Sequence, residues 1–511
     1  MTAALRLAKA GHAVTVVDQR ERVGGKLNVW EADVPGAGRF RFDTGPHVLT
    51  MPWAIRELFA DLGERMEDYL DLVRMDPICR YHFADTDPFD APADPETAAR
   101  RIGERFPGEE RGFRDLLAYA RRVNDITVEP FLRQDFANAI RGIPTPGQWR
   151  QLGGFLGLAP WRTIHDRVRR HIRDPRLRQI FDLYAFYNGS SPVRASAIFA
   201  IIAWVQWGEG TFYLRGGLRT YAEALGRLAE KLGVSVRLNT PVSEICIDGQ
   251  RGKGRVTGVR VGDELIAADA VVCNADPLTA YGTLIAAPHR PAGFSIEEIG
   301  ARDLSTSAFL LLLGVRGAYP HLTHYNSFLP QDSEAEYTAI FDHQVPAEDP
   351  VIGVTCQSVT DPSCAPDGFS NLFVMTSPPA LSPAFTWTGE HTRAYREKLI
   401  GLLETRCGLT GLRDRIVCEQ LWTPETFVER YGAWRGSLYG ASSNGPRSAF
   451  LRPPIRARSV RGLYFVGGGT HPGGGLPLVT LGGKIAADAV ERDCGRMGVS
   501  ARTTTRKELN P

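Results

Sequence analysis

Two glycine triplets near the end of the chain constrain its fold more than any other feature. Gly467–Gly469 follow an apolar run without alternation, Leu463–Val466, and Gly473–Gly475 lead into a second apolar run, Leu478–Val490. The first run predicts a buried strand and the second predicts a helix. The glycines let the backbone pass close to a bulky flat ligand, and the N–H groups of a helix start suit an anion or an electron-rich ring. The stretch therefore predicts a ligand-binding turn in preference to a flexible surface loop.

The beginning of the chain has the pattern of part of a dinucleotide-binding βαβ unit. Thr2–Ala10 predicts a helix that ends at Gly11, and Ala13–Val17 predicts a buried strand that is followed by Asp18. An acid at this point of such a unit hydrogen-bonds the adenosine ribose, about 20 residues after a G-x-G-x-x-G loop. Asp18 is therefore predicted to bind the adenosine half of a dinucleotide cofactor.

The first strand of that unit and its glycine loop would precede Thr2, and neither is in this sequence. Two interpretations stay open: the start codon is placed too late, or the protein has lost the cradle for the pyrophosphate. We favour the first, because the rest of the unit is intact and would otherwise leave an unpaired strand edge.

A basic glycine turn follows Asp18. Gly24 and Gly25 permit a tight approach of the backbone to a ligand, while Arg22 and Lys26 can offset phosphate charge in a desolvated site. Such a turn by itself is more often a solvated basic loop. Its spacing after Asp18 favours contact with the cofactor.

Five segments resemble motifs of the phytoene desaturase family, the FAD-dependent carotenoid desaturases. They cover nearly the whole chain, and in chain order they are VTVVDQRERVGGK (14–26), FDTGPHVLTMP (42–52), FYLRGGLRTYAEALGRLAEKLG (212–233), DPSCAPDG (361–368) and FVGGGTHPGGGLP (465–477). The resemblance implies an α/β fold of the amine-oxidase type. Its Rossmann-type FAD-binding domain would be assembled from discontinuous segments, with an inserted α+β substrate domain.

The same resemblance predicts how the chain is divided between these domains. The FAD-binding domain would take its three parts from residues 1–78, 211–290 and 431–511. Residues 79–210, with helical patterns and many arginines, would form a helical part that faces substrate and membrane. Residues 291–430 would supply the sheet of the substrate domain.

The resemblance adds cofactor contacts to those predicted from the residues themselves. Gly45 and Pro46 would lie beside the isoalloxazine, and Val242 would face the adenine end through its backbone. The full set of expected FAD-binding residues is Asp18, Arg22, Gly25, Lys26, Gly45, Pro46, Val242, Gly467, Gly468, Gly469, Gly474, Gly475, Leu476 and Pro477. His47 stands where the family usually carries a smaller residue such as threonine. It is the candidate for proton transfer, with a structural role as the alternative.

Composition excludes several function classes. A net charge of +2 gives no indication of a nucleic-acid partner. The cysteines form no C-x-x-C pair and no cluster with histidines, which favours idle thiols in a reducing cytosol over a zinc site or disulfides. No apolar run approaches the ~20 residues of a membrane-spanning helix.

One segment predicts contact with a membrane surface. It holds large apolar side chains interleaved with arginines: Trp149, Arg150, Phe155, Leu156, Leu158, Trp161 and Arg162. Such a segment suits a membrane interface, and packing on the protein's own core is the equally weighted alternative. The resemblance favours the membrane, since carotenoid desaturases are peripheral membrane enzymes that draw a lipid substrate from the bilayer. The expected location is cytoplasmic, at the inner face of the membrane.

The resemblance implies the chemistry of FAD-dependent desaturation. A linear carotenoid such as phytoene, or a hydroxylated derivative, would lose hydrogen from adjacent carbons, with the hydride passed to flavin N5. Oxygen or a membrane quinone would be the electron acceptor. Related amine oxidases carry an acid after the glycine of the last strand, where Gly467–Gly469 offers only backbone, and no tyrosine pair can be assigned to an amine-binding cage.

Two other functions stay open. An isomerase or saturase acting on carotenoids or retinoids could use the same fold. A protein of another class, which binds carotenoids without a cofactor, is conceivable because the first strand is missing.

Overall fold

The computed structural model describes residues 1–135, 153–250, 252–445 and 452–496. The α-helices whose two ends lie within these ranges are α1 (Thr2–Lys9), α2 (Pro52–Leu62), α3 (Pro95–Arg105), α4 (Glu110–Thr127), α5 (Ile164–His171), α6 (Pro175–Tyr187), α7 (Ile201–Ala203), α8 (Arg219–Lys231), α9 (Pro277–Thr279), α10 (Ile296–Gly300), α11 (Ser333–Thr338), α12 (Gly389–Thr405), α13 (Leu412–Arg415), α14 (Pro424–Tyr431) and α15 (Leu476–Arg496).

The strands of the same ranges are β1 (Thr15–Val17), β2 (Val29–Val34), β3 (Gly38–Asp43), β4 (Leu72–Arg74), β5 (Cys79–His82), β6 (Phe89–Ala91), β7 (Phe212–Leu214), β8 (Ser235–Arg237), β9 (Glu244–Asp248), β10 (Gly254–Val261), β11 (Glu264–Ala267), β12 (Val271–Cys273), β13 (Phe309–Arg316), β14 (Tyr325–Phe328), β15 (Ile352–Thr355), β16 (Phe369–Thr376), β17 (Ile416–Trp422), β18 (Val460–Arg461) and β19 (Leu463–Phe465).

Two parallel strand pairs and the helices around them form the part that is predicted to bind the dinucleotide. β1 pairs with β8, and β12 pairs with β19. α1 packs on α15 through Ala3 and Leu7, and Gly483 lets the helices approach closely because a Cβ there would meet the Thr2 side chain. The helices and strands predicted at both ends of the chain are present, but the prediction that β1 is buried is wrong, because Thr15 is exposed and the other two residues of β1 are half-buried.

The last helix begins earlier than predicted. Its first residue is Leu476, not Leu478, and it continues to Arg496. Pro477 lies in the first turn, where its missing N–H removes no helical hydrogen bond. Leu476 and Pro477 therefore belong to the helix start and not to the preceding turn.

The second part of the fold is built on a seven-stranded sheet. Its strand order is β17-β13-β16-β15-β14-β5-β6. Every residue of β13 except Arg316 is buried, as its run of leucines predicts for a strand that is covered on both faces. One face packs against α12. The opposite face is covered partly by the hairpin of β2 and β3 and partly by a helical layer that includes α3, α4 and α6.

The segment predicted to be helical, 79–210, also contributes strands. β5 pairs in parallel with β14, and β6 extends the sheet beyond it. Both strands are short, and in β5 buried residues alternate with half-buried ones. An alternating pattern this short is difficult to recognise as a strand when long helical patterns surround it. The assignment of 79–210 to helices alone is corrected on this point.

The thiols agree with their predicted role. All eight cysteines are free, and Cys418 alone among them is more than slightly accessible. In the ranges that the structure describes, no helix combines the length and the apolar character that crossing a bilayer requires.

Candidate active site

The first glycine triplet packs against the turn that follows β12. Val466 donates its N–H to the carbonyl of Cys273 at 2.9 Å. Gly467 has φ +110°, and a Cβ on Gly469 would come within 2.8 Å of the Pro277 ring. Both positions need glycine because the backbone of one strand end lies directly on the turn of its neighbour.

The second triplet borders an open space at the start of α15. A Cβ on Gly474 would overlap the ring of Tyr439, which lies flat on the backbone there. Gly475 is exposed, has φ +110°, and would place a Cβ in empty space. The N–H groups at the start of α15 therefore face a space that is bordered by an aromatic ring and backbone.

The basic turn and the second motif come together at this space. Gly45 lies against the main-chain carbonyl of Lys26, where any Cβ would overlap it. Lys26 Nζ donates to the carbonyl of Leu438 at 2.6 Å. The turn at 24–26, the segment at 43–47 and the loop that carries Tyr439 thus meet at one point.

Lys26 combines an accessible side chain with a lowered pKa. The side chain is exposed. Burial nevertheless lowers the pKa of Lys26 to about 8, although the nearby carboxylate of Asp276 opposes this shift. The ammonium is therefore accessible to a ligand although much of its surroundings is protein.

Two more charged side chains, one basic and one acidic, contribute to the electrostatic potential of the site. Arg452 Nη1 donates to the carbonyls of Gly468 at 2.9 Å and Tyr439 at 3.2 Å. Burial lowers the pKa of Arg452 to about 10 and raises the pKa of Asp276. Two cations around one acid leave a net positive charge at the site, which suits a ligand that carries negative charge.

Two carboxylates hold the R-G-G turn at 215–217 from opposite sides. Asp43 accepts from the N–H of Leu218 at 2.8 Å and from Gln357 Nε2 at 3.1 Å. Asp361, from the D-P-S turn, accepts from the N–H of Gly216 at 2.7 Å. Burial raises the pKa of Asp43 to about 6 despite these donors. Three motifs that are far apart in sequence therefore share one junction.

His47 is buried beside this junction. Its ring lies 4.0 Å from that of Phe373 between centroids. Neither ring nitrogen has a hydrogen-bond partner within the described ranges. Burial, assisted by the neighbouring ring of His324, lowers the pKa of His47 to about 3, so the imidazole is neutral at physiological pH.

The face of the sheet beside His47 carries a half-buried strip over Gly353 and Met375, which we call the slot. Strand register places Tyr325, Thr355 and Phe373 in one row, and Gly353 and Met375 in the next. Gly353 and Met375 are half-buried, and a Cβ on Gly353 would meet only the Met375 carbonyl, at 3.8 Å. The slot therefore runs over Gly353, alongside the row that ends at Phe373.

The structure does not bring every predicted contact to this point. Asp18 follows β1 and accepts from the N–H of Arg20 at 3.0 Å, and Val242 lies half-buried between β8 and β9. Arg22 is exposed and donates to Glu21 at 3.0 Å. The roles of these three residues in binding cofactor stay predictions, as does the contact of Pro46, which is exposed.

Sequence reasoning missed three side chains of this site, namely Asp276, Tyr439 and Arg452. Asp276 lies in the turn Asn274–Pro277, whose pattern gives no sign that its charge faces the glycine motif. Tyr439 and Arg452 reach the glycine motif from a segment without periodic pattern. The only signal available in the sequence was that this segment leads into the strand that precedes the two glycine triplets.

The chain matches the family model described as flavin containing amine oxidoreductase over residues 1–491. It is 33% identical to 4,4'-diapolycopene oxygenase of Methylomonas sp, over 96% of each chain. It is 31% identical to all-trans-zeta-carotene desaturase of Myxococcus xanthus, over 97% of this chain and 92% of that protein. It is 32% identical to 1-hydroxycarotenoid 3,4-desaturase of a Flavobacterium species, over 96% of each.

Solved structures agree on the fold. An oxidoreductase from Methanosarcina mazei superposes with a TM-score of 0.60 at 16% identity, covering 96% of this chain and 97% of that one. Cyclohexylamine oxidase from Brevibacterium oxydans gives 0.59 at 15% identity, covering 97% of both. At these identities the likeness shows the architecture, an α/β FAD-binding fold of the amine-oxidase type.

The residues present fit FAD. Gly475 leaves open space beside the backbone that Tyr439 contacts, and Lys26 and Arg452 supply the positive charge that a diphosphate or an electron-rich ring needs. These findings count against a protein that works without a cofactor. The chain belongs to the flavin-containing amine oxidoreductase family, with the carotenoid desaturases and oxygenases as relatives, and it is an FAD-dependent oxidoreductase.

Proposed function

We propose that the enzyme removes hydrogen from adjacent carbons of a linear carotenoid such as phytoene or a hydroxylated derivative. Two relatives that match nearly full length are named as carotenoid desaturases. The observation that carries the proposal is the half-buried slot over Gly353, which lies on the same face of the sheet as Phe373 and His47. A strip of this kind offers a long thin polyene a place to lie, and the two rows that the register defines, Tyr325 to Phe373 and Gly353 to Met375, contain no charged side chain.

Each part of the site would contribute one task. FAD, when bound, accepts the hydride that a C–H bond of the substrate gives up, which side chains alone cannot do. The apolar wall orients the polyene and keeps water from the reacting carbons. Lys26 and Arg452 would hold the cofactor by its negative charge.

His47 is our candidate for the remaining proton. Loss of a hydride from a polyene leaves allylic cation character, and such a carbon is a far stronger acid than an imidazolium. A neutral imidazole whose pKa is about 3 can therefore still accept its proton. The lack of a hydrogen-bond partner leaves the lone pair of His47 free for this role.

Anaerobic mixing of the FAD-loaded enzyme with phytoene tests the proposal, with oxygen and quinone both absent. We expect the flavin absorption to bleach in step with the appearance of longer conjugated chromophores. A change of double-bond geometry without bleaching would exclude a desaturase and favour an isomerase. Loss of conjugation together with reoxidation of pre-reduced flavin would favour a saturase. An oxygenated product that forms only in air would favour the activity named for the Methylomonas relative.

We further propose that the enzyme lies on the cytoplasmic face of a membrane. Exposed apolar side chains cluster beside α5, with Trp161 57%, Leu156 50% and Val193 44% exposed. Trp161 and Val193 line a surface cavity of about 380 Å³ together with Arg162 and Arg194. Aromatic and aliphatic side chains next to arginines suit the headgroup region of an anionic bilayer. Trp149 and Arg150, also predicted for this surface, lie outside the described residues.

Sedimentation with vesicles tests this surface. Wild-type protein is expected to sediment with anionic vesicles, and Trp161→Ser is expected to remain largely in the supernatant. Val359 is 55% exposed on another part of the surface, so Val359→Ser is the matched control and should sediment like the wild type. Equal sedimentation of both variants would reject the assignment.

A further inference from the structure

A buried arginine occupies the inside of the basic glycine turn. Arg219 is the first residue of α8, and only 6% of it is exposed. Its Nη1 donates to the main-chain carbonyl of Val23 and, at 3.1 Å, to that of Leu27. These carbonyls flank the turn Gly24–Lys26 on its two sides. The guanidinium therefore joins the two ends of the turn from within.

Gly24 makes room for this guanidinium. A Cβ on Gly24 would lie 2.6 Å from Arg219 Nη1 and 2.8 Å from the Cβ of Ala222. The φ of Gly24, +120°, also belongs to a region that other residues rarely adopt. The turn is closed by the N–H of Leu27, which donates to the Gly24 carbonyl at 3.0 Å. The shape of the turn thus depends on the contact between Gly24 and Arg219.

The contact with Arg219 sets the direction of the peptide units in the turn. The carbonyl of Val23 and the N–H of Gly24 belong to one planar trans peptide unit, so they point in opposite directions. Because the carbonyl faces Arg219, the Gly24 N–H faces away from it. Within the described ranges, the N–H groups of Gly24, Gly25 and Lys26 have no main-chain acceptor. Successive N–H groups of this kind form a concave site for an anion.

The guanidinium is also oriented by its own helix. Arg219 Nε donates to Glu223 Oε1 at 3.3 Å, one turn further along α8. A guanidinium held by one carboxylate and two carbonyls has little freedom to reach a ligand itself. Arg219 therefore acts on a ligand through the turn that it holds.

We propose that Arg219 is a positioning residue for the cofactor. It holds the turn so that the N–H groups of Gly24 and Gly25 and the ammonium of Lys26 together face the negative charge of FAD. The inference concerns cofactor binding and not the reaction, so it can fail while the proposed dehydrogenation stands.

Fluorescence titration of apoprotein with FAD at pH 7 compares wild type, Arg219→Met, Arg219→Lys and Arg227→Met. Arg227 is the matched control, because it is exposed on the same helix, with its guanidinium carbon 5.8 Å from the centre of the Tyr69 ring. We expect Arg219→Met to raise the Kd for FAD about tenfold or more, because the turn is no longer held in its binding shape. Arg219→Lys keeps the charge and can still donate to a carbonyl, so its Kd should be intermediate. Arg227→Met should bind FAD like the wild type.

The pH dependence of binding distinguishes positioning from a loss of stability. Wild-type affinity should fall as pH rises through about 8, the pKa of Lys26. When Arg219 is replaced, the turn no longer holds Lys26 in place and its ammonium becomes better solvated, so the fall should move up by about one pH unit or more. Asp276 and Arg20, the charged groups that also act on this pKa, are unchanged in the variants. A loss of stability alone would reduce the amount of FAD-binding protein without moving the midpoint of the fall.

Either of two results would overturn the inference. Binding of FAD by Arg219→Met as tight as that of the wild type would show that the turn keeps its shape without Arg219. Weaker binding with the fall still near pH 8 would leave Arg219 a purely structural part of α8. If circular dichroism shows that Arg219→Met apoprotein is not folded, Arg219→Lys decides between the same outcomes.

Discussion

Lys26 Nζ donates to the main-chain carbonyl of Leu438 at 2.6 Å, across 412 residues of sequence. This contact ties the basic glycine turn to the loop whose Tyr439 ring covers Gly474. The two motifs therefore form one side of a single cavity, and the charge of Lys26 lies at its edge.

Replacing Lys26 by methionine should weaken FAD binding about tenfold or more, because one of two cations at the site is lost while the side-chain length is kept. Fluorescence titration of apoprotein with FAD measures the effect. Since the pKa of Lys26 is about 8, its charge is lost as pH rises through that value, and wild-type affinity should fall there. The variant should show no such fall. Lys231→Met, at an exposed pair with Glu64, is the control and should bind FAD like the wild type.

Replacing Asp43 by asparagine should change how stability depends on pH. The pKa of this carboxyl rises on folding from 3.8 to about 6, so the folded state holds its proton where the unfolded state has lost it. Asp43 therefore costs stability above pH 6, by on the order of 3 kcal/mol, and this cost disappears as pH falls toward 4. The free energy of unfolding of the wild type, minus that of Asp43→Asn, should decrease as pH rises from 4.5 to 7. Thermal unfolding of both proteins measures this difference.

Asp361 supplies the control for that experiment. Its pKa is lowered in the folded protein, with hydrogen bonds from Ser363 and the Gly216 N–H outweighing burial. Its contribution is therefore lost only as pH falls below the ordinary range of an aspartate. Asp361→Asn should shift stability by a constant amount between pH 4.5 and 7. A constant shift in Asp43→Asn as well would contradict the assigned pKa.

Filling the slot should block a long substrate. Gly353→Leu would place a branched side chain over Met375, and we expect kcat/KM with a carotenoid to fall at least tenfold while FAD affinity is unchanged. Gly353→Ala is the conservative partner, because its Cβ would meet only a carbonyl at 3.8 Å. Full activity of the leucine variant would show that the substrate passes elsewhere.

Replacing His47 by glutamine tests the proton acceptor. Loss of a general base typically costs 10²- to 10⁴-fold in rate, so anaerobic flavin bleaching in stopped flow should slow by about that factor. FAD content and the absorption spectrum should stay as in the wild type. The rate should be flat from pH 5 to 8, since the pKa of His47 is near 3. His343→Gln, at an exposed position, should react at the wild-type rate, and a pH step near 6.5 in the wild type would argue against a neutral His47.

Local patterns predicted the local elements well. The apolar runs at 463–466 and 478–490 predicted the last strand and the last helix without knowledge of their neighbours. Among the glycines of the two triplets, Gly469 and Gly474 mark close approaches, because a Cβ there would overlap Pro277 or Tyr439. The match with the flavin-containing amine oxidoreductase family identifies the ligand of these motifs as FAD.

Contacts between distant segments escaped prediction. Arg452 finds Gly468 only after the chain has turned back, and Tyr325 joins Phe373 through two strand pairings whose register no local pattern sets. Arg22 belongs to the basic turn and donates to its neighbour Glu21 at the surface, so its predicted contact with the cofactor stays a prediction. A sequence displays charge and spacing, but the direction of a long side chain depends on the fold around it.

The parallel pairing of β5 with β14 makes the helical layer and the sheet a single mechanical unit. Separating the helical layer from the sheet would break main-chain hydrogen bonds as well as apolar side-chain contacts. Limited proteolysis between residues 83 and 88 should therefore leave both fragments associated, and heating should melt them in one step.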